Sequence, residues 1–407
     1  MRINYIKIGK NNKGGNLNMK KTKRQNGITL VALVITIIIL LILATISIQS
    51  LTNTGLFKKA QEAKKKTQNA TENQAKTLNE YEDELNKYIS GTISKQPVKK
   101  VEDNIGSVLS TTDNTELQDA YGNKIVVPAG FKIVSNSDTN NATTVDKGIV
   151  IEDATSAVTA GSQFVWVPVG KIYTDEQKKE SKTKTITLGR YDFDETTGAE
   201  SAYSGSYVEE DKGNTSTTLK NWGNTIAKNI TNFKTSVVTN GGYYIGRYEA
   251  RTTTTRNSKD DVLTQITERG IDQVYNFVTQ PQAAGQAQNM YNSSKFTSDL
   301  INSYAWDTAI TFIQKCSDQT NYANQISLNT DNLLQTGTTI DQKCNIFDMA
   351  SNVWEWSTEV SDDLTNPCSA RGGGFHNSAS FVGIRGCGDI NYSNMYGGFR
   401  PILYINI

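Results

Sequence analysis

Few side chains in this sequence could perform nucleophilic, acid–base or metal chemistry. The 407 residues include one histidine, His376, and four cysteines: Cys316, Cys344, Cys368 and Cys387. Zinc hydrolases, histidine-ligated iron sites and Ser-His-Asp triads all require imidazole groups, and most require several. The cysteines lie in the last quarter of the chain and none forms a CxxC pair. The sequence also lacks a P-loop, a nucleophile elbow and a helical metal-binding motif.

The acidic pairs of the chain offer little more. Asp362 and Asp363 are adjacent, as are Glu209 and Glu210. Adjacent residues of a strand point to opposite faces, so neither pair is placed for joint acid–base work. Both pairs are expected to be solvated surface groups.

One stretch near the C-terminus has the composition of a binding surface. It reads RGGGFHNSASFVGIRGCGDINYSNMYGGFR, from Arg371 to Arg400. Its ends resemble structural framework, while its interior is rich in Asn, Ser, Gly and Tyr. Tyrosine supplies rigid amphipathic area, and small polar residues supply adaptable hydrogen bonds. The predicted contact residues are Phe375, His376, Asn377, Phe381, Asp389, Asn391, Tyr392, Asn394 and Tyr396.

The elements that must position this segment indicate an α+β fold. Short runs of β-branched and aromatic residues, bounded by turn formers, predict strands in KIVVPAGFKIV, GIVIEDA, SQFVWVPVG and GGYYIGRYEA. Two helices follow: one from Pro281 to Tyr291, and one in FTSDLINSYAWDTAITFIQK, capped by Thr297 or Ser298. The sequence FRPILYINI predicts a closing strand. Strands, then helices, then further strands are typical of α+β domains.

The N-terminal third predicts a membrane anchor and a stalk. The uncharged run from Ile28 to Ile48 spans about 31 Å as a helix, enough to cross a bilayer. Eight basic side chains and no acidic one lie in residues 1–24. This bias keeps the leader cytoplasmic and places the C-terminal domain outside the cell, on a single-pass membrane protein. The remaining chain has 34 basic and 41 acidic side chains, which disfavours nucleic-acid binding.

The expected organisation is a basic leader at residues 1–27, a transmembrane helix and helical stalk at 28–90, a linker at 91–106 and a domain at 107–407. Apolar residues make up 37% of the chain, which is enough for a core in that domain. Between residues 171 and 240 the composition shifts to polar residues and glycine. We therefore expect a loop-rich surface excursion there.

The N-terminal segment resembles a type IV prepilin. A basic leader ending at Gly27 is followed by a β-branched apolar helix and then by a polar amphipathic one. The resemblance implies cleavage after Gly27 by a prepilin peptidase, methylation of Ile28 and a relation to pilus subunits. The fifth residue after the cut is usually Glu in prepilins, but here it is Ala32. Because Met19 begins a leader of ordinary prepilin length, we predict that translation starts there.

The domain resembles the formylglycine-generating-enzyme-like (sulfatase-modifying factor) superfamily, which shares the C-type lectin fold. The segments FVWVPV, YYIGRYEA, SYAWDTAITFI, FDMASNVWEW, RGGGF and GGFRPIL occur in that superfamily's order, over about residues 162–403. Its oxidase needs two cysteines, at positions that match Asn377 and either Phe381 or Val382 here. Neither an amide nor a hydrocarbon replaces a thiolate, so the sulfatase-activating reaction is not expected.

The same resemblance implies a calcium site. In relatives, the Asn, a backbone carbonyl and the Glu of the NxWEW stretch bind the ion, which here are Asn352, Val353 and Glu355. Calcium prefers six to eight oxygen ligands, and the sequence names only three. The alternative is that Glu355 pairs with an arginine and that Trp354 and Trp356 belong to the core. No other cofactor is expected.

The cysteines have an alternative role in an exported chain. Cys344 and Cys368 flank the NVWEW segment, so a disulfide between them would tie that segment to the base of the binding face. Cys387 is then left free or paired with Cys316. Four cysteines allow three pairings in all.

Lectin-fold domains of the kind that this chain resembles also serve as targets of diversity-generating retroelements. Adenine-directed randomisation turns an Asn codon into NNY, which cannot encode Lys, Glu, Gln, Met or Trp. Between Phe375 and Tyr396 only Met395 belongs to that set. The alternative is that loops are rich in Asn, Ser and Gly in any case.

These observations favour a non-catalytic adhesion or ligand-recognition protein at the cell membrane, with an extracellular glycan or protein as its ligand. Two alternatives remain at this stage. One is a structural pilin or pseudopilin subunit whose domain only packs in a filament. The other is an exported enzyme that uses the superfamily's cleft.

Overall fold

The computed structural model describes residues 34–44, 64–65, 98–209, 228–252, 254–261, 273–329, 331–376 and 380–407. The chain divides into two compact units, Met1–Gln96 and Pro97–Ile407. In the first, residues 34–44 and 64–65 are helical and exposed. In the part of the chain that the structure describes, no helix is long and apolar enough to span a lipid bilayer. The predictions for Met19, Gly27, Ile28 and Ala32, and most of the predicted transmembrane helix and stalk, lie outside the described residues.

The second unit has a mixed α+β fold, with many strands and few helices. Its strands are β1 (Thr115–Gln118), β2 (Lys124–Val127), β3 (Phe131–Val134), β4 (Val150–Asp153), β5 (Gln163–Pro168), β6 (Gly170–Tyr173), β7 (Thr183–Ile186), β8 (Tyr191–Phe193), β9 (Glu200–Ala202), β10 (Gly242–Gly246), β11 (Arg251–Thr252), β12 (Gln273–Val274), β13 (Phe296–Leu300), β14 (Gln342–Lys343), β15 (Ile346–Phe347), β16 (Trp354–Val360), β17 (Cys368–Arg371), β18 (Arg385–Gly388), β19 (Gly397–Phe399) and β20 (Pro401–Ile405). Its α-helices in the described residues are α1 (Ile230–Asn240), α2 (Gln280–Asn289) and α3 (Ser303–Cys316). Short 3-10 helices occupy Glu102–Asn104, Ser137–Thr139, Val145–Lys147, Glu180–Lys182 and Tyr322–Asn324.

A six-stranded antiparallel sheet forms the centre of this unit, in the order β13-β20-β10-β5-β4-β3. Every residue of β5, β10 and β20 is buried, as is typical of strands covered on both faces. Helix α1 packs against β10 and β20, and α3 packs against β5. The aliphatic and aromatic side chains between these layers are the main core.

A second sheet carries the C-terminal segment, in the order β18-β17-β16-β19. Strand β19 runs parallel to β16, and the other two pairings are antiparallel. Only Arg400 separates β19 from β20, which belongs to the central sheet. The chain therefore crosses from one sheet to the other at a single residue.

The helix ends show where local sequence decides the fold. Thr279 and Gln282 form a reciprocal capping box at the start of α2, with Pro281 in the first turn. The cap of α3 is Asn302, whose side chain accepts a hydrogen bond from the Ala305 amide. The predicted cap at Thr297 or Ser298 was wrong, because those residues belong to β13 and pair with β20.

Two predicted boundaries also differ from the structure. Residues 98–106, which we assigned to a linker, belong to the second unit: Val101 is fully buried in the core and its amide donates to the Gln118 carbonyl. The expected excursion at residues 171–240 includes the β6–β7 and β8–β9 hairpins but ends in α1. Phe233 and Val237 of that helix pack into the core, so this part is not a surface loop.

Candidate ligand-binding site

An ion-pair network fixes the base of the C-terminal segment. Arg371 on β17 donates to Glu359 (Nη1–Oε2, 3.2 Å) and to Asp307 of α3 (Nη2–Oδ1, 2.5 Å), and all three side chains are fully buried. Arg385 on β18 donates to the same two carboxylates, at 2.8 and 2.6 Å. Burial alone raises the pKa of Glu359, but the facing guanidinium groups, that of Arg371 first, lower the pKa to about 2. The network thus ties β16, β17, β18 and α3 together.

Arg400 fixes the other end of the segment. Its Nε lies 2.9 Å from Glu355 Oε2, and its Nη2 lies 2.5 Å from Glu355 Oε1. The same guanidinium donates to the carbonyls of Gly246 and Phe347, at 2.9 and 2.8 Å. Arg400 and Glu355 are both fully buried. This two-pronged ion pair joins the second sheet to the end of β10.

The side chains of Asn352 and Glu355, two of the expected calcium ligands, form hydrogen bonds with protein groups. Both oxygens of Glu355 accept from the guanidinium just described. The Asn352 side chain donates to Glu249 at 2.7 Å and accepts from the Leu334 amide at 2.9 Å, while the Val353 amide donates to Glu249 at 3.1 Å. Among the described residues, no three His, Cys, Asp or Glu side chains are grouped as metal ligands. The alternative pairing of Glu355 with an arginine is the one observed, and calcium binding by Asn352, Val353 and Glu355 stays a prediction.

The opposite face of β16 forms the floor of a pocket, because residues two apart on a strand share a face. Trp354 and Trp356 lie there, and two glycines of β18 leave room for their rings. A Cβ added at Gly386 would lie 2.9 Å from the Trp354 ring, and one at Gly388 would lie 2.6 Å from the Trp356 ring. The Trp356 indole donates to the Val278 carbonyl at 2.8 Å, which fixes its orientation.

Aromatic residues of the C-terminal segment form the wall of the pocket. His376 and Tyr396 are stacked, with ring centroids 3.7 Å apart and an interplanar angle of 25°. Tyr392 is 50% exposed and meets Trp356 edge-on at 6.3 Å. Asn394 accepts from the Tyr396 amide and donates to the Tyr392 hydroxyl. We call this site the aromatic pocket; its volume is about 130 Å³, and it is lined by Trp354, Trp356, Ala370, His376, Gly386, Cys387, Tyr392, Asn394, Tyr396 and Gly397.

The aromatic pocket carries no formal charge at neutral pH among the described residues that line it. Its one titratable ring near neutrality, His376, has its pKa lowered by burial, so the imidazole is neutral at pH 7. A charged ligand would need an oppositely charged side chain in the pocket, and the described lining residues supply none. The arrangement therefore suits an uncharged group that can stack on aromatic rings and accept or donate a few hydrogen bonds.

The structure brings together four of the nine predicted contact residues: His376, Tyr392, Asn394 and Tyr396 line the aromatic pocket. The ring of Phe375 is buried beneath Tyr396, at 5.2 Å, so it supports the wall rather than forming it.

The other four contact predictions fall elsewhere. Asp389 and Asn391 are exposed in the adjoining turn, where the carboxylate accepts from the Asn391 amide at 2.7 Å. Phe381 does not line the pocket; its backbone pairs with Ile326. Asn377 lies outside the described residues.

Sequence reasoning missed Trp354, Trp356 and Cys387. Both indoles were assigned to the core as an alternative; this is confirmed for Trp356, which is buried, whereas Trp354 is only partly buried, and both rings also line the pocket. The alternation W-E-W could have indicated this, since it places two large rings on one face of a strand and the charge on the other.

The predicted Cys344–Cys368 disulfide is not present in the structure. All four cysteines are free thiols. Cys368 packs with Trp356 and Phe399 in the hydrophobic cluster of the second sheet. Cys344 lies in the turn between β14 and β15, where it lines a different pocket together with Cys316. Cys344 and Cys368 thus pack against different hydrophobic clusters, although both flank the NVWEW segment in the chain.

Comparison of the chain with protein-family models gave no match, and comparison with curated proteins gave none either.

Proposed function

We propose that this chain is a membrane-anchored binding protein of the cell surface, which captures an uncharged ligand in the aromatic pocket and catalyses no reaction. The observation that carries the proposal is the aromatic pocket itself. Trp354, His376, Tyr392 and Tyr396 converge on one solvent-accessible cavity whose described lining is neutral. Aromatic rings held by a rigid frame are the usual anchors of binding sites.

The segments that resemble the formylglycine-generating-enzyme-like superfamily support a C-type-lectin-like assignment for residues 107–407. NVWEW supplies the pocket floor and Glu355, RGG begins with the buried Arg371, and GGFR supplies β19 and Arg400. Each of these motifs thus supplies structural residues around the face that carries the aromatic pocket. The type IV prepilin-like N-terminus is the proposed anchor, and it places this face outside the cell.

The residues at the superfamily's catalytic cysteine positions support the absence of catalysis. Val382 is fully buried, and Phe381 is half-buried beside Ile326. Neither side chain offers a thiol. Cys387 and His376 both line the aromatic pocket, but no hydrogen bond joins these two described residues, so the arrangement lacks a base-activated nucleophile.

Binding to arrayed glycans and to a displayed peptide library tests the proposal, with the full-length chain as the probe. We expect Tyr392→Ala to lower the affinity for every ligand found by at least tenfold, because half of that ring faces solvent over the pocket. Tyr121→Ala is the matched control: this half-buried tyrosine lies in the β1–β2 turn and should leave binding unchanged. Ligands that bind both variants with the same affinity as they bind the unmodified chain would refute the site.

Two other outcomes would support the alternatives. Filaments in which Tyr392 is buried against a neighbouring subunit would identify a structural pilin. Turnover that is lost in His376→Ala, in a screen of mixed substrates, would identify an enzyme.

Diversification by a retroelement is part of the same proposal. Its support is that Asn391 and Tyr392 are exposed and Asn394 is half-exposed, whereas the framing residues Arg371 and Arg400 are fully buried. Substitution at the exposed positions therefore changes the surface and spares the frame. Sequencing the neighbouring DNA is the test: a reverse-transcriptase gene and a near-copy of this region would be expected, and their absence would refute diversification.

A further inference from the structure

The turn that contains Cys344 has an unfavourable conformation for that residue. Strands β14 and β15 pair Lys343 with Ile346, which leaves a two-residue hairpin loop, Cys344-Asn345. Both loop residues have positive φ, at 46° and 64°. Such type I′ turns favour Asn-Gly and similar pairs, because a Cβ is disfavoured in the left-handed region. A cysteine at the first position needs a reason beyond turn formation.

Neighbouring segments hold this turn firmly in place. The Asn345 side chain donates to the carbonyls of Thr139 and Gly148, both at 2.9 Å. The Cys344 carbonyl packs so closely on Gly148 that a Cβ added there would lie 1.9 Å from it. The Cys344 thiol is therefore presented by a fixed backbone.

The last residue of α3, Cys316, faces the same space. Cys316 and Cys344 are both half-buried and line one pocket of about 260 Å³, whose other lining residues are Asn140, Asp146, Lys147, Ser317, Asp318, Gln342, Lys343 and Asn345. Burial raises the pKa of Cys316 to about 12. Burial also raises the pKa of Cys344, and the neighbouring Cys316 thiol raises it further, so the two sulfur groups lie within electrostatic reach of each other.

We propose that Cys316 and Cys344 form a disulfide when the protein is oxidised. A low-molecular-weight disulfide such as oxidised glutathione is the oxidant. One thiolate attacks it to give a mixed disulfide and releases one glutathione thiol; the second cysteine then displaces the other. Two protons leave the cysteines, and the two electrons reduce the oxidant to two thiols. Because both cysteine thiols have raised pKa values, the reaction should be faster at pH 9 than at pH 7.

The disulfide would close a loop that supports the aromatic pocket. Within residues 317–343, the Asn329 side chain accepts from the Asn352 amide at 2.8 Å, and the Leu334 amide donates to the Asn352 side chain. The Gly337 amide donates to Asp348 at 2.8 Å. These contacts hold the chain that leads into Trp354. Closing the loop restrains the unfolded chain and stabilises this support.

Peptide mapping of the full-length chain tests the pairing. The folded protein is treated with oxidised glutathione at pH 9, its remaining thiols are blocked with N-ethylmaleimide in denaturant, and it is digested with trypsin. We expect the peptide 316–343 linked to the peptide 344–371, with fragmentation placing the bond on Cys344 rather than on Cys368 of the same peptide. The melting temperature should rise by several degrees on oxidation, and it should not rise in Cys316→Ser.

Cys387→Ser is the control, since that exposed thiol lies in the aromatic pocket and should not alter the cross-link. Recovery of Cys316 and Cys344 as separate maleimide or glutathione adducts would overturn the proposal. A bond from Cys344 to Cys368 or to Cys387 would overturn it equally. The outcome does not depend on whether the aromatic pocket binds a ligand.

Discussion

The buried pair Glu355–Arg400 offers a quantitative test of how the candidate site is framed. We consider three variants: Glu355→Met, Arg400→Met and the double substitution. Methionine roughly preserves side-chain length and removes the charge. Each single variant leaves the other charge buried without its partner, whereas the double variant replaces the pair with apolar contacts.

The expected loss of stability follows from the burial of the ion pair, and its effect on the melting temperature follows from the size of the second unit. Removing one partner of a fully buried ion pair costs about 3–5 kcal/mol. An unfolding entropy of ~2.1 cal/mol/K per residue over the roughly 300 residues of the second unit converts this to a drop of about 5–8 °C in melting temperature. The double variant should recover a large part of that loss, because apolar replacement of a buried pair is often neutral.

The pH dependence of Arg400→Met provides an internal check. Burial already raises the pKa of Glu355, and the Arg400 guanidinium is the group that opposes this shift. Without it, the folded-state pKa rises further above the unfolded value. The variant's stability is then greatest at acid pH, where Glu355 is protonated, and falls as pH rises through the folded-state pKa. We therefore expect a smaller loss at pH 5 than at pH 8.

Thermal unfolding followed by circular dichroism measures all four proteins at both pH values. Additive losses, with the double variant as unstable as the sum of the singles, would show that Glu355 and Arg400 do not interact and would refute the reasoning. A rise in melting temperature on adding calcium that disappears in Glu355→Met would instead make Glu355 a metal ligand.

Three further variants probe the charges and the pocket. Burial raises the pKa of Asp348 to about 7 and that of Asp299 to about 6; since both lie above the unfolded value of 3.8, the stability they contribute falls as pH rises through 6 and 7. The melting temperature should therefore drop between pH 5 and pH 8, and Asp348→Asn should reduce that drop; an unchanged slope would contradict it. Gly386→Val places side-chain atoms against the Trp354 ring, so ligand affinity measured by calorimetry should fall at least tenfold, and full affinity would exclude Trp354 from the pocket floor. Cys387→Ser should leave that affinity within twofold, and a larger loss would assign the thiol a direct role.

Local sequence was sufficient for features whose partners lie within a few residues. The helix predicted at Pro281–Tyr291 is α2, because its capping box and early proline are all local. The helix predicted around SYAWDTAITFI is α3, but it begins at Ser303 and not near Thr297. The residues before it have helical spacing, yet pairing with β20, a hundred residues away, holds them in a strand.

The chemistry of the site depended on contacts that no local pattern contains. The framework role of Arg371 and Arg400 was inferred from their glycine-rich surroundings, but their partners Glu359 and Glu355 come from another strand. The pocket floor required Gly386 to lie over an indole, which depends on the register of β18. Sequence reasoning could therefore name the wall of the pocket but not its floor.

The cysteines show the same limit. Cys344 was paired with Cys368 because both flank one motif. In the folded chain, the β14–β15 turn carries Cys344 to the end of α3, next to Cys316. That approach depends on how the hairpin packs on Gly148, and the spacing of cysteines in a sequence does not reveal it.

The position of β20 has a consequence for how the protein is made. Residues 401–405 lie between β10 and β13, inside the central sheet, and are bonded to both. Until the ribosome has synthesised them, the edge strand β13 has no partner in this sheet, while β10, β5, β4 and β3 can already pair with one another. We therefore expect β13 to join the central sheet only after residues 401–405 have been synthesised, although β13 precedes them by about a hundred residues in the chain.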